Sequence, residues 1–129
     1  MPGAGLSDQV VDFIARHIKS LEHLEVLLLL SSNSEKTWTP RSVYEVIKSS
    51  EASVQERLRE LSQQGLLIEI SEGEATYRFQ PVKPSLKQLV ADLSLAYKER
   101  RIRVVETIYS APTERVQSFA DAFRLRKDK

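Results

Sequence analysis

The chain has no cysteine among its 129 residues. That excludes a disulfide framework, a thiol nucleophile and thiolate metal sites, and it fits a reducing compartment. Long apolar runs are missing too: the longest, Val26–Leu30, has five residues, against the roughly 20 that span a bilayer. No contact with a membrane is expected. The opening MPGAGLSDQV has neither a basic n-region nor an apolar h-region, so no secretory signal is read and a cytoplasmic location is expected. Enzyme signatures are also lacking. There is no Gly-rich phosphate loop, no nucleophile elbow and no His-Glu-x-x-His pair, each of which works only at fixed spacing. The two histidines, His17 and His23, are six residues apart. On one helix they diverge by about 120°, which suits packed or surface side chains better than a shared metal. Neither catalysis, nor a metal, nor a cofactor is expected.

What is present describes a soluble globular chain of one core. It is 41% hydrophobic and 29% charged, ordinary values for such a domain, and its length supports one core better than two. The net charge of +1 conceals an asymmetry. Residues 1–80 hold 8 Lys/Arg against 12 Asp/Glu, and residues 81–129 hold 11 against 6. A basic half following an acidic one points to nucleic acid or an acidic protein partner, or to ordinary solvated helix faces.

The organising stretch is Thr39–Phe79. Within Ser50–Leu67, Val54, Leu58 and Leu61 recur at four- and three-residue spacing, one apolar stripe on a helix. Ser49 or Ser50 can cap its start, and Gly65 suits the left-handed residue that ends it, with Leu66 and Leu67 beyond. Thr39-Pro40 opens a shorter helix, since proline loses nothing at the first helical position; Val43, Val46 and Ile47 are its inward residues. Downstream, Leu67–Ile70 and Thr76–Phe79 flank a turn that holds Gly73, which predicts a hairpin. Upstream, Gly3 and Gly5 mark residues 1–6 as a flexible lead-in. Ser7 and Asp8 start a helix with Val10, Phe13, Ile14, His17 and Ile18 on one face. A second stripe begins at Leu21 and is apolar on most sides through Leu30, as for a central core helix. Lys36–Trp38 is read as a short strand pairing with the hairpin.

Helix, short turn, helix and hairpin resemble a winged helix-turn-helix. The resemblance covers about residues 21–79 and is to bacterial regulators of the MarR and ArsR types, with SVQERLRELSQQGLLIE similar to their recognition-helix segment. The tail SFADAFRLRKDK is similar to that of a family of small bacterial winged-helix proteins. The expected fold class is mainly α with a small β-wing, an α+β winged helix over residues 7–80. A helical extension over 81–129 belongs to the same compact unit. The resemblance implies that Ser53, Gln55, Glu56, Arg59 and Gln63 face a major groove, that Arg78 acts from the wing, and that Arg41 and Ser42 meet backbone phosphates. Residues 39–80 nevertheless hold 5 Lys/Arg against 7 Glu, and phosphate neutralisation needs clustered positive charge. Arg57 and Arg59 can instead pair with Glu60 and Glu56 on the helix surface. Two functions follow: a DNA-binding transcriptional regulator, or a winged helix turned to protein recognition.

After Pro81 and Pro84, Ser85 is expected to cap a long helix from Leu86 to about Tyr109, 24 residues or roughly 36 Å. Its stripe is interrupted by Lys98–Arg101, so the later part should bend or run past the domain. Pro112 then precedes a short helix bearing Phe119 and Phe123. Leu93, Tyr97, Val104, Ile108, Phe119 and Phe123 are the candidate homodimer residues. Docking of these helices onto the first helix of the same chain is the alternative.

Overall fold

The structure is a computed structural model and describes residues 6–110. Its elements in order are α1 (Asp8–His17), α2 (Leu21–Ser32), α3 (Pro40–Ile47), α4 (Glu51–Gln63), β1 (Leu67–Glu72), β2 (Glu74–Phe79) and α5 (Pro84–Glu99). A further helix, α6, occupies 101–110. The chain is mainly helical with one two-stranded antiparallel sheet. Among the described residues, no helix is long and apolar enough to cross a membrane.

Side-chain caps fix most helix starts. Ser7, Ser20 and Ser50 each accept the backbone N–H three residues on, which satisfies a donor the helix cannot. The α3 start is a full capping box: Thr39 Oγ1 accepts from Ser42 N–H, and Ser42 Oγ accepts from Thr39 N–H. α5 departs from expectation. It begins at Pro84, with Lys83 at the cap and no side-chain hydrogen bond, so Ser85 lies inside the first turn. Proline's fixed φ starts the helix there without a hydroxyl. The end of α4 follows the predicted pattern. Gly65 has φ +82°; its N–H donates to Ser62 O and that of Leu66 to Leu61 O, both at 3.0 Å. This is the paired bonding of a Schellman ending, with Leu61 and Leu66 both buried.

The core sits around α2, which touches α3, α4, α5 and β2. Leu24, Val26, Leu27 and Leu30 are fully buried, as expected of a helix apolar on most sides. Phe13 and Ile14 of α1, Val54, Leu58 and Leu61 of α4, and Tyr77 and Phe79 of β2 close on it. Leu6 also packs against this core, so the loose lead-in expected over 1–6 does not extend to it.

The hairpin runs from Leu67 opposite Phe79 to Ile70 opposite Thr76 and beyond, turning at Gly73 with φ +79°. The strand expected at Lys36–Trp38 reduces to one bridge, in which Trp38 and Tyr77 exchange backbone hydrogen bonds at 2.8 and 2.7 Å.

Of the two outcomes expected for the long C-terminal helix, the bend is found, as a full break. α5 ends at Glu99, Arg100 takes φ −138° and ψ 54°, and α6 begins at once. The polar Lys98–Arg101 stretch has no apolar face to bury, whereas Val104, Thr107 and Ile108 do, and all three are buried. A straight rod would carry them into water; the break turns them onto the body. Tyr109 Oη completes the return by accepting Leu21 N–H at 3.0 Å. The expected short helix with Phe119 and Phe123 lies outside the described residues.

Candidate nucleic-acid interface

α3 and α4 are joined by three residues, 48–50, and α4 by a tight turn to the hairpin. Lys48 ends α3 in the left-handed region with φ +66°. Ser50 then caps α4, so the chain reverses into the second helix with no slack.

α4 has two faces. Val54, Leu58 and Leu61 are fully buried. Gln55, Arg59 and Gln63, four residues apart, are exposed and therefore form one outward stripe. Glu56 borders it and holds Arg59: Nη1 lies 2.8 Å from Glu56 Oε1, with both side chains about half exposed. Arg41 is held likewise, 3.5 Å from Glu45 and 3.3 Å from Glu51. Arg78 donates to Gln80 Oε1 at 2.8 Å. Exposed pairs of this kind contribute on the order of 0–1 kcal/mol, so they can be exchanged for another anion.

The other expected contacts are engaged inside the chain. Ser53 Oγ and Ser49 Oγ both donate to the Glu22 carboxylate of α2, which turns Ser53 away from the outward stripe. Ser42 is occupied in the capping box. Glu60 pairs with Arg57, as the spacing allowed, at the inner edge of α4. Its Oε1 lies 3.3 Å from Arg57 Nε and 3.9 Å from His23 Nε2.

His23 is the residue that sequence reasoning undervalued. It is fully buried, and its Nδ1 accepts Lys19 N–H at 3.2 Å, which leaves the ring proton on Nε2, facing Glu60. Burial first, then the charges of Arg57 and Lys19, lower its pKa to about 4. His17, on α1 rather than on the same helix, is lowered chiefly by burial, opposed by Gln64. His23 is thus a neutral core group, whereas His17 is half-buried with its pKa lowered. The signal available in the sequence was local: Arg57 and Glu60 flank Leu58 and Leu61, at the edge of the apolar stripe.

Among the candidate dimer residues, Leu93, Val104 and Ile108 are buried in the chain's own core, with α5 packed on α1 and α2. Tyr97 is half-buried, and Phe119 and Phe123 lie outside the described residues. The exposed apolar side chains here are Leu95, Ile102 and Tyr109.

No protein-family model matches this chain, and a search of curated proteins finds no match.

Proposed function

We propose that α3, α4 and the β1–β2 hairpin form a winged helix-turn-helix that binds duplex DNA, and that the protein is a transcriptional regulator. The observation that carries this reading is the Gln55–Arg59–Gln63 stripe. It stands outward on a helix whose opposite stripe is locked in the core, after a three-residue turn. Glutamine side chains can contact adenine and arginine can contact guanine in a major groove. On contact, Arg59 would leave Glu56 for the nucleic acid, and the hairpin would bring Arg78 toward the backbone. Two half-sites would require two copies. Leu95 and Ile102 are exposed and available for such pairing, whereas Leu93, Val104 and Ile108 are enclosed.

A second reading is a winged helix that recognises protein instead of DNA. It is favoured by the carboxylates already seated on Arg41 and Arg59. Fluorescence anisotropy separates the two, using duplex from the gene's own upstream region and an unrelated duplex at low and physiological salt. A regulator binds its own duplex saturably and better, with affinity falling steeply as salt rises. No binding at low salt would overturn the DNA reading and leave the protein-recognition one.

A further inference from the structure

α2, α3, α5 and the first residue of α6 surround an open groove of about 630 Å³. Leu28 and Leu29 line it from α2, Val46 and Ile47 from α3, and Tyr97 from α5. Val46 is 55% exposed, although α3 has only eight residues and buries Val43. The groove also carries charge. Lys98 and Arg101 stand on the α5–α6 side, and Glu25 stands on α2. Arg101 lies over the Tyr97 ring, 4.8 Å from its centroid. Among the described residues, neither Lys98 nor Arg101 has a carboxylate within ion-pair distance, whereas Arg41, Arg57 and Arg59 all do.

We propose that this groove receives an acidic amphipathic helix of another protein. Apolar side chains at i, i+3, i+4 and i+7 would cover Leu28, Leu29, Val46 and Ile47, the usual way a helix occupies a groove. Carboxylates along one flank would meet Lys98 and Arg101, and Glu25 keeps them off the α2 side. The chain's own residues 111–129 are basic overall, with five Lys/Arg against three Asp/Glu and four of those five cations in 124–129, and their occupancy of the groove is an outcome of the test below. Shape decides against a small molecule, which needs a cleft that encloses most of its surface. A duplex backbone would gain nothing from the apolar floor. The proposal is independent of DNA binding and uses none of the α4 stripe.

The test uses the full chain and a fluorescein-labelled 18-residue helical peptide with leucines at that spacing, flanked by glutamates. A second peptide has lysines in place of the glutamates. Saturable binding of the acidic peptide, at least tenfold tighter than the basic one, is expected. Val46→Asp should weaken it tenfold or more, and Lys98→Glu with Arg101→Glu should reverse the preference between peptides. All three positions are exposed, and circular dichroism checks that the variants fold. No saturable binding, equal binding of the two peptides, or indifference to these substitutions would overturn the proposal. Because the chain has no cysteine, Val46→Cys offers a unique site for a photocrosslinker. Capture of residues 111–129 or of a second copy would equally overturn it, since the groove would then already have an occupant.

Discussion

Arg59 is held by Glu56 through a 2.8 Å ion pair one turn back on α4, so the most outward cation of the stripe carries its own counter-charge. An exposed i, i+3 pair contributes little to folding, a few tenths of a kcal/mol. Its consequence is for binding. Glu56→Gln removes an acid beside a polyanion and releases Arg59. Under the DNA reading, affinity for the cognate duplex should rise several-fold while the unfolding midpoint in urea stays unchanged. Arg59→Ala should lower affinity, and if Arg59 meets a phosphate the salt slope should fall by about one. Titrations of both variants against the same duplex check this; equal affinities for the two would remove Arg59 from the interface.

His23 ties stability to pH. Its pKa in the folded chain, about 4, lies below the unfolded value near 6.5. Between these values the unfolded chain binds more protons, so stability is complete above pH 6.5 and declines as pH falls toward 4. The full shift corresponds to a loss on the order of 3 kcal/mol. His17, also lowered, adds to the same slope. Urea unfolding at pH 7, 6, 5 and 4.5 should show the decline, and His23→Gln should flatten it even if that variant is less stable throughout. An undiminished slope in His23→Gln would mean that other groups carry the acid sensitivity.

Two left-handed positions make opposite predictions. Lys48 ends α3 at φ +66° with a side chain that this region disfavours, so Lys48→Gly should stabilise the chain by about 0.5–1 kcal/mol. Gly65 is already the favoured residue, and a Cβ there would lie 2.9 Å from Val82 Cγ2. Gly65→Ala should therefore destabilise, by roughly 1–2 kcal/mol. Val82 is exposed and can yield, so most of the cost is backbone strain. Paired denaturant melts of both variants measure the contrast.

Much of this architecture was legible because its signals are local. Ser7, Thr39-Pro40, Ser50 and Gly65 each mark a boundary through hydrogen bonds to neighbouring residues, and the structure places helix ends at all four. What was not legible depends on contacts distant in sequence. Glu60 pairs with Arg57 as the local spacing allows, but its approach to within 3.9 Å of the buried His23, 37 positions away, is not a local feature. The engagement of Ser53 depends on Glu22. The interruption at Lys98–Arg101 marked the break at Arg100 as one of two outcomes, but the return that buries Val104 and Ile108 and seats Tyr109 on Leu21 depends on contacts distant in sequence. For the same reason the outward stripe of α4 could be read from spacing, while the pairing of each cation on it could be anticipated only as one of two options.

The return of α6 gives the last prediction. If Val104 and Ile108 complete the core of a single chain, as their full burial indicates, truncating them acts within the monomer. Ile108→Ala should cost about 2–5 kcal/mol and Val104→Ala somewhat less. Tyr109→Phe, which leaves the packing but removes the acceptor for Leu21 N–H, should cost on the order of 1 kcal/mol. These losses should be the same at low and high protein concentration, whether or not Leu95 and Ile102 pair two copies. Were these side chains buried only against a second copy, the midpoint would rise with concentration by mass action, and Ile108→Ala would lower the mass seen by light scattering. Denaturation of the parent chain and of Ile108→Ala at 2 and 200 µM, two arbitrary concentrations about a hundredfold apart, distinguishes these cases, since a pairing lost with Ile108→Ala would remove a concentration shift on the order of RT ln 100, about 2.7 kcal/mol.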